Sequence, residues 1–343
     1  MKPRIEIRYP ISRQIIFVFG KPCPDTARED FFLNHARSGI LLALKSLDLG
    51  EGSKVGVMAY NCHTVFNAIA QAECTPVFID VTDDLTLDFN DLRKKASELD
   101  ALVVSHLFGI TTDVLSIKKE FPGLVVIEDC AHAYGLKDRF GDFSVDSIGM
   151  GKFPSIGDGG ILHVHNNKYL SQVDVLFRNI PDYSFTQSLT LHCSMCIKAL
   201  LYIPSVYSLI TKRIKKWRGV KSNVALIIPT KMCPGINAVY NSIRPSLETI
   251  CRERVRSFSN LKDLISNIPG VSRVIGGSVN GFMLVTDCKD VSDVRKSLAG
   301  RKIEAETHFA HCIDWAESFG YIKGSCPNTE RLTGHLLMVP TYI

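Results

Sequence analysis

Leu124-Val125-Val126-Ile127-Glu128-Asp129-Cys130-Ala131-His132-Ala133 decides how the rest of the chain is read. An apolar run passes without alternation into two acids, a thiol and an imidazole, the pattern of a strand buried on both faces that ends at a polar crevice. Working outward, similar short runs predict strands at Val55–Tyr60, Pro76–Val81, Ala101–His106, Asp146–Met150 and Gly160–Val164. Between them, apolar residues spaced three and four apart predict helices over Ser38–Leu47, Thr64–Gln71, Asp88–Ser97 and Asp113–Glu120, with Asp88 and Asp113 as N-caps. Strand and helix alternating from about Phe32 to Val164 is the signature of an α/β fold, a mostly parallel sheet covered by helices.

Composition agrees with an ordinary globular protein. The 343 residues are 45% hydrophobic and 22% charged, with 24 Gly and 15 Pro, and this length predicts about two compact units. A large unit over 1–245 and a smaller C-terminal α/β unit over 246–343 are expected, the second opening on a helix over Ser246–Asn267 and continuing with a strand at Gly281–Thr286 and a helix at Val291–Ala299. The 40 Lys and Arg against 35 Asp and Glu leave a formal charge of +5, too small and dispersed for a nucleic-acid footprint. Eleven cysteines without repeating spacing suggest a reducing, cytoplasmic setting. Met1–Pro10 does not read as a secretory signal, and no apolar run is long enough to predict a spanning helix.

Polar residues that directly follow strands are the candidates for chemistry. They fall at Asn61-Cys62-His63, His106-Leu107-Phe108-Gly109, Glu128 to Ala133 and Ser147 to Lys152. Each alone reads as well as a cap, a core histidine or a solvated lysine. Together they would bring an acid, an imidazole, a hydroxyl and an amine from several strand ends of one sheet into a single crevice.

On these residues the chain resembles the pyridoxal-phosphate (PLP)-dependent sugar aminotransferases of the DegT/DnrJ/StrS group, fold type I in the aspartate-aminotransferase class. Glu128-Asp129-Cys130-Ala131-His132-Ala133-Tyr134-Gly135 is similar to that family's Glu-Asp-x-Ala-(Gln/His)-Ala-x-Gly motif. Ser147-x-x-x-x-Lys152 resembles its phosphate-contacting serine and Schiff-base lysine, and Asp158-Gly159-Gly160 its acidic-Gly-Gly turn. His106-Leu107-Phe108-Gly109, Gly141-Asp142, and the closing Phe319-Gly320-Tyr321, Cys326-Pro327, Glu330-Arg331-Leu332 and Val339-Pro340-Thr341 follow in the family's order.

The resemblance implies that Lys152 and Asp129 are catalytic, with Asp129 facing the cofactor's pyridine nitrogen. It further implies that His132 reaches the 3-hydroxyl, and that Ser147, Arg37 and Ser38 hold the phosphate at a helix start. Cys62 stands where relatives place an aromatic over the ring, and Arg37 where they use a small residue. Lys231 resembles a basic residue that reaches the phosphate of the neighbouring subunit's cofactor, which implies a homodimer with shared sites. His308 and His311 are candidates for the substrate mouth. The implied reaction moves an amino group from an amino acid, glutamate first, to a keto sugar, a nucleotide-linked one being expected. The alternatives are a PLP-binding sugar dehydratase, which Lys152 argues against, and a scaffold without turnover, suggested by Cys62 and Arg37.

Other signals carry less. Cys193-x-x-Cys196 has no second pair, so no metal site is expected. Gly149-x-Gly151 is too short for a dinucleotide fingerprint. The stretch about 189–225 reads as a helical, basic insertion; its part 197–218, apolar and then rich in Lys and Arg, is a candidate for peripheral membrane contact or a subunit arm.

Overall fold

The computed structural model describes residues 29–201 and 226–341. Most of the 197–218 stretch therefore lies outside the described residues. In chain order the elements are β1 (Asp30–Leu33), α1 (Ala36–Lys45), β2 (Lys54–Met58), α2 (His63–Gln71), β3 (Thr75–Ile79), α3 (Phe89–Lys95), β4 (Ala101–Ser105), α4 (Val114–Glu120), β5 (Val125–Asp129), β6 (Phe143–Ser147), β7 (Gly160–Val164), α5 (Leu170–Arg178), α6 (Phe185–Leu201) and α7 (Pro234–Ile243). They continue with α8 (Leu247–Ser266), β8 (Val271–Ile275), β9 (Met283–Cys288), α9 (Val291–Gly300), α10 (Cys312–Glu317), α11 (Pro327–Thr333) and β10 (Leu336–Pro340).

Seven strands form one sheet in the order β1-β7-β6-β5-β4-β2-β3. Pairing is parallel from β3 to β6, and β7 runs antiparallel to both β6 and β1. The predicted strand at Asp146–Met150 is corrected to Phe143–Ser147, because the antiparallel register pairs Ser147 with Gly160 and residues beyond it turn away. Asp88 and Asp113 do cap their helices, accepting from the N–H groups of Asn90 and Ser116. β10, β9 and β8 make a separate antiparallel sheet. Every described strand of the first sheet precedes position 165 and every strand of the second follows 270.

Two features of this frame position the site. A Cβ on Gly160, the first residue of β7, would sit 2.3 Å from the backbone of His35 and Ala36, so only glycine lets the start of α1 close on the strand ends. The second feature ties the loop before β9 to the residues that follow β4 and β5: Val279 N–H donates to Gly109 O at 3.0 Å, the Ser278 hydroxyl to Phe108 O at 3.0 Å, and the Asn280 amide to His132 O at 3.1 Å and Tyr134 O at 3.2 Å. Arg254 on α8 braces the same loop through the carbonyls of Asn280, Gly281 and Phe282. No helix among the described residues is long and apolar enough to cross a membrane.

Candidate active site

The carboxyl ends of β2, β4, β5 and β6 and the start of α1 surround a cavity of about 350 Å³. Arg37, Cys62, Asp129, His132, Ser147 and Lys152 all line it. Parallel strands of similar length bring their carboxyl ends to one edge, and the polar residues that follow them meet there.

Asp129 ends β5 with both carboxylate oxygens engaged. Oδ1 accepts from the Ala131 N–H at 3.0 Å and Oδ2 from the Ser105 hydroxyl at 3.0 Å. Ser105 in turn accepts from the Asn61 amide at 2.9 Å, and Asn61 Oδ1 accepts from the Cys62 N–H at 2.8 Å. A chain across β2, β4 and β5 thus fixes the direction in which Asp129 faces the cavity.

Lys152 follows β6 on a turn, its N–H donating to Gly149 O at 3.2 Å. Its Nζ stands 2.6 Å from His132 Nε2. The His132 ring is buried among aromatic rings, stacked 4.7 Å from Phe282 and 5.9 Å from Phe309, and 5.2 Å from Phe108. Burial first, and then the nearness of two basic groups, Lys152 and His308, that would repel a second positive charge, hold His132 well below the ordinary histidine range. Burial also holds Lys152 below the usual lysine value, against the opposing charges of Cys62 and Asp129.

Facing the start of α1, the cavity is built for an anion. Arg37 lies in the first turn, where unpaired backbone N–H groups and the helix dipole add positive potential. His35 is pushed down to about 4 by burial and by Arg37, so at neutral pH its contact with Asp158 at 3.4 Å involves an uncharged ring. Ser147 Oγ accepts from the Gly149 N–H at 3.4 Å, which leaves its proton to donate. The Cys62 thiol lies 3.1 Å from the Thr64 hydroxyl. Although burial opposes it, the adjacent His63 ring, Thr64 and the Lys152 charge hold this thiol below its ordinary value.

The remaining candidates lie off the cavity. The Ser38 hydroxyl donates to Asn34 Oδ1 at 2.8 Å and so fixes the start of α1. Lys231 pairs with Asp182 at 2.9 Å and sits over the Phe177 ring. His308 gives its carbonyl to the Tyr60 hydroxyl at 3.0 Å, and His311 pairs with Asp314 at 3.0 Å on the surface. Phe309, between them, is the residue that lines the cavity. Sequence reasoning missed Ser105, Phe309, Phe282 and Asn280; Ser105 had a signal, since it too ends a strand.

His106, Glu128 and Cys130 come close enough to suggest a metal. Hydrogen bonds already occupy the first two: His106 Nε2 meets Glu128 at 2.8 Å, its Nδ1 accepts from Thr112 N–H, and the other Glu128 oxygen accepts from the N–H groups of Phe140 and Gly141. This cluster ties β4 and β5 to the turn before β6.

Residues 32–181 match the DegT/DnrJ/EryC1/StrS aminotransferase family model. A stretch of 139 residues, 38% of this chain and 38% of the relative, is 33% identical to a GDP-perosamine synthase of Escherichia coli O157:H7. Another of 138 residues, 36% of each, is 31% identical to a UDP-N-acetyl-3-dehydro-alpha-D-glucosamine 3-aminotransferase of Acidithiobacillus ferrooxidans. The matches thus span well under half the length of these curated relatives. The fold is that of the PLP form of a putative sugar aminotransferase from Streptococcus pneumoniae, with a TM-score of 0.70 and 14% identity over 100% of this chain and 93% of that one.

Proposed function

We propose, from the match of residues 32–181 to the DegT/DnrJ/EryC1/StrS aminotransferase family, a PLP-dependent aminotransferase that moves an amino group from an amino acid to a nucleotide-linked keto sugar. The observation that carries the reading is the meeting of the Lys152 amine and the doubly held Asp129 carboxylate in one cavity that also contains Arg37 and the start of α1.

The donor set fits the cofactor. Lys152 would hold it covalently, Asp129 would meet its ring nitrogen, and Ser147, Arg37 and the first N–H groups of α1 would hold its phosphate. Bound there, PLP supplies an electron sink and carries the amino group between donor and acceptor. The chain's own groups do the rest. Asp129, kept in place by Ser105 and Ala131, presents fixed negative charge. The Lys152 amine, held by burial below its usual pKa, can take up and release a proton at Nζ. Cys62 leaves one wall without an aromatic ring.

A homodimer with Lys231 turned toward the partner's site remains part of the proposal. Leu226 and Ile228, 72% and 64% exposed, support it as apolar surface near Lys231 that a second copy would cover. Sedimentation of the full chain tests this: a monomer at micromolar concentration excludes shared sites. The ten described cysteines are all free, which supports a reducing compartment.

Reconstitution tests the chemistry. Protein loaded with PLP is expected to show a visible absorbance band that glutamate bleaches and that Lys152→Ala lacks. A bound cofactor unchanged by any amino acid donor overturns amino transfer.

A further inference from the structure

We infer that His132 is a positioning residue that donates a hydrogen bond from Nε2 to Lys152 and thereby keeps the lysine amine uncharged, ready to react, before any cofactor is bound. The role of that amine rests on the reading above; the hydrogen-bond assignment does not.

The argument is one of proton counting. The Phe108 N–H donates to His132 Nδ1 at 3.2 Å. A nitrogen that accepts carries no proton, and a neutral imidazole carries one proton in all. That proton is therefore on Nε2, which faces Lys152 Nζ at 2.6 Å. Two N–H groups cannot point at each other across that distance, so Nζ must offer a lone pair, and an ammonium has none. The other arrangement, a charged lysine donating to Nε2, requires the proton on Nδ1, where it would collide with the Phe108 N–H.

The Phe108 N–H is held firmly enough to enforce this choice. Phe108 is left-handed, with φ of 57°, and Gly109 follows with φ of 84°. The loop of the second unit grips both, through Ser278 to Phe108 O and Val279 to Gly109 O. A Cβ on Gly109 would meet Ser278 Oγ at 2.2 Å, so the grip depends on glycine. Phe282 and Phe309 stack on the ring and exclude water from it.

The groups that face the pair act in both directions. Cys62 from the start of α2 and Asp129 from the end of β5 favour a charged lysine, while burial and the His132 donor favour the free amine. His308 lies on the His132 side and disfavours charge on the ring.

Cofactor-free protein provides the test. Acylation of Lys152 by an amine-reactive ester, read by peptide mass spectrometry, reports the free amine as a function of pH. An ordinary lysine loses about a hundredfold in rate from pH 9 to pH 7. The expected loss at Lys152 is under tenfold in the native chain and in His132→Gln, which keeps a donor, and clearly steeper in His132→Phe, which keeps only the ring stack. A native loss of the full hundredfold overturns the proposal, and so does an identical shallow profile in His132→Phe. Nitrogen NMR of labelled histidine in the native chain is independent of any variant: the proton is expected on Nε2 across the neutral range, and a proton on Nδ1 overturns the assignment. Shallow labelling in a chain that fails to take up PLP would count against the proposed function and leave this inference standing.

Discussion

Two histidines of one sheet and its edge, His132 buried just past β5 and His163 half-buried on β7, are held in opposite states. His132 sits among Phe108, Phe282 and Phe309 with an amine as its polar neighbour, and burial keeps it uncharged. His163 on β7 sits between two carboxylates, Asp30 at 2.5 Å and Asp146 at 3.0 Å. Burial opposes charge there too, yet hydrogen bonds and charge from Asp146 and Asp30 lift His163 to about 9. Burial sets the cost of charge; the neighbours decide whether it is met. The cavity wall sets an uncharged histidine against an amine among aromatic rings, while the strand edge at β1, β7 and β6 uses a fully paired network, completed by Arg139 on Asp146 at 2.9 Å, to hold strands together.

The comparison breaks most easily at the cavity. Lys152→Ala removes both the covalent tether and the proton-moving amine, and turnover is expected to fall about ten-thousand-fold with an unchanged circular dichroism spectrum. Retained turnover would show that the amine is only a wall. Asp129→Asn keeps the shape and removes the charge, with an expected loss of about a hundredfold to a thousandfold in kcat. A loss confined to KM would mean that Asp129 serves binding alone.

His163 sharpens the other side, with stability as the readout. A folded-state pKa of about 9 lies above the unfolded histidine value, so the stabilisation is complete below about 6.5 and is lost as pH rises through 9. The shift corresponds to roughly 3 kcal/mol. His163→Gln is expected to be destabilised by about that amount at pH 6, with the gap to the native chain closing above pH 9. A gap that does not change with pH would place the effect in packing.

How much of this was legible beforehand depended on range in sequence. The parallel strands were readable because continuous apolar runs such as those of β4 and β5 need no distant partner to be recognised, and Asp88 and Asp113 signal their helices within three residues. That Lys152, Asp129 and Ser147 share one cavity was readable because polar residues that follow parallel strands meet at one edge of the sheet. β1 was missed, as a four-residue edge strand that pairs antiparallel with a strand more than a hundred residues away. Phe309 was passed over for its histidine neighbours, since a sequence shows which residues are polar but not which side of a turn faces inward. Phe282 and Asn280 act across about 150 positions, and nothing local marks them.

The smallest expected effect is the one that reaches the His132 environment from a distant part of the chain. Asn280 is fully buried, and its amide is divided between the carbonyls of His132 and Tyr134. Asn280→Ala removes the donor and leaves two interior carbonyls without it, which costs about 1–3 kcal/mol. Because the loop also carries Phe282, loosening it lets water reach the His132 ring, and the amine at Lys152 should regain part of an ordinary lysine's pH dependence. Urea unfolding separates the possible causes. If Asn280 only fills space, the midpoint falls with Lys152 labelling unchanged. If it holds the cavity wall, the midpoint and the labelling profile move together while the unfolding slope stays constant, since the slope follows total surface exposed. A smaller slope would mean that the two units no longer unfold as one, and the apparent support of the site by the second unit would then be a property of their docking and not of this side chain.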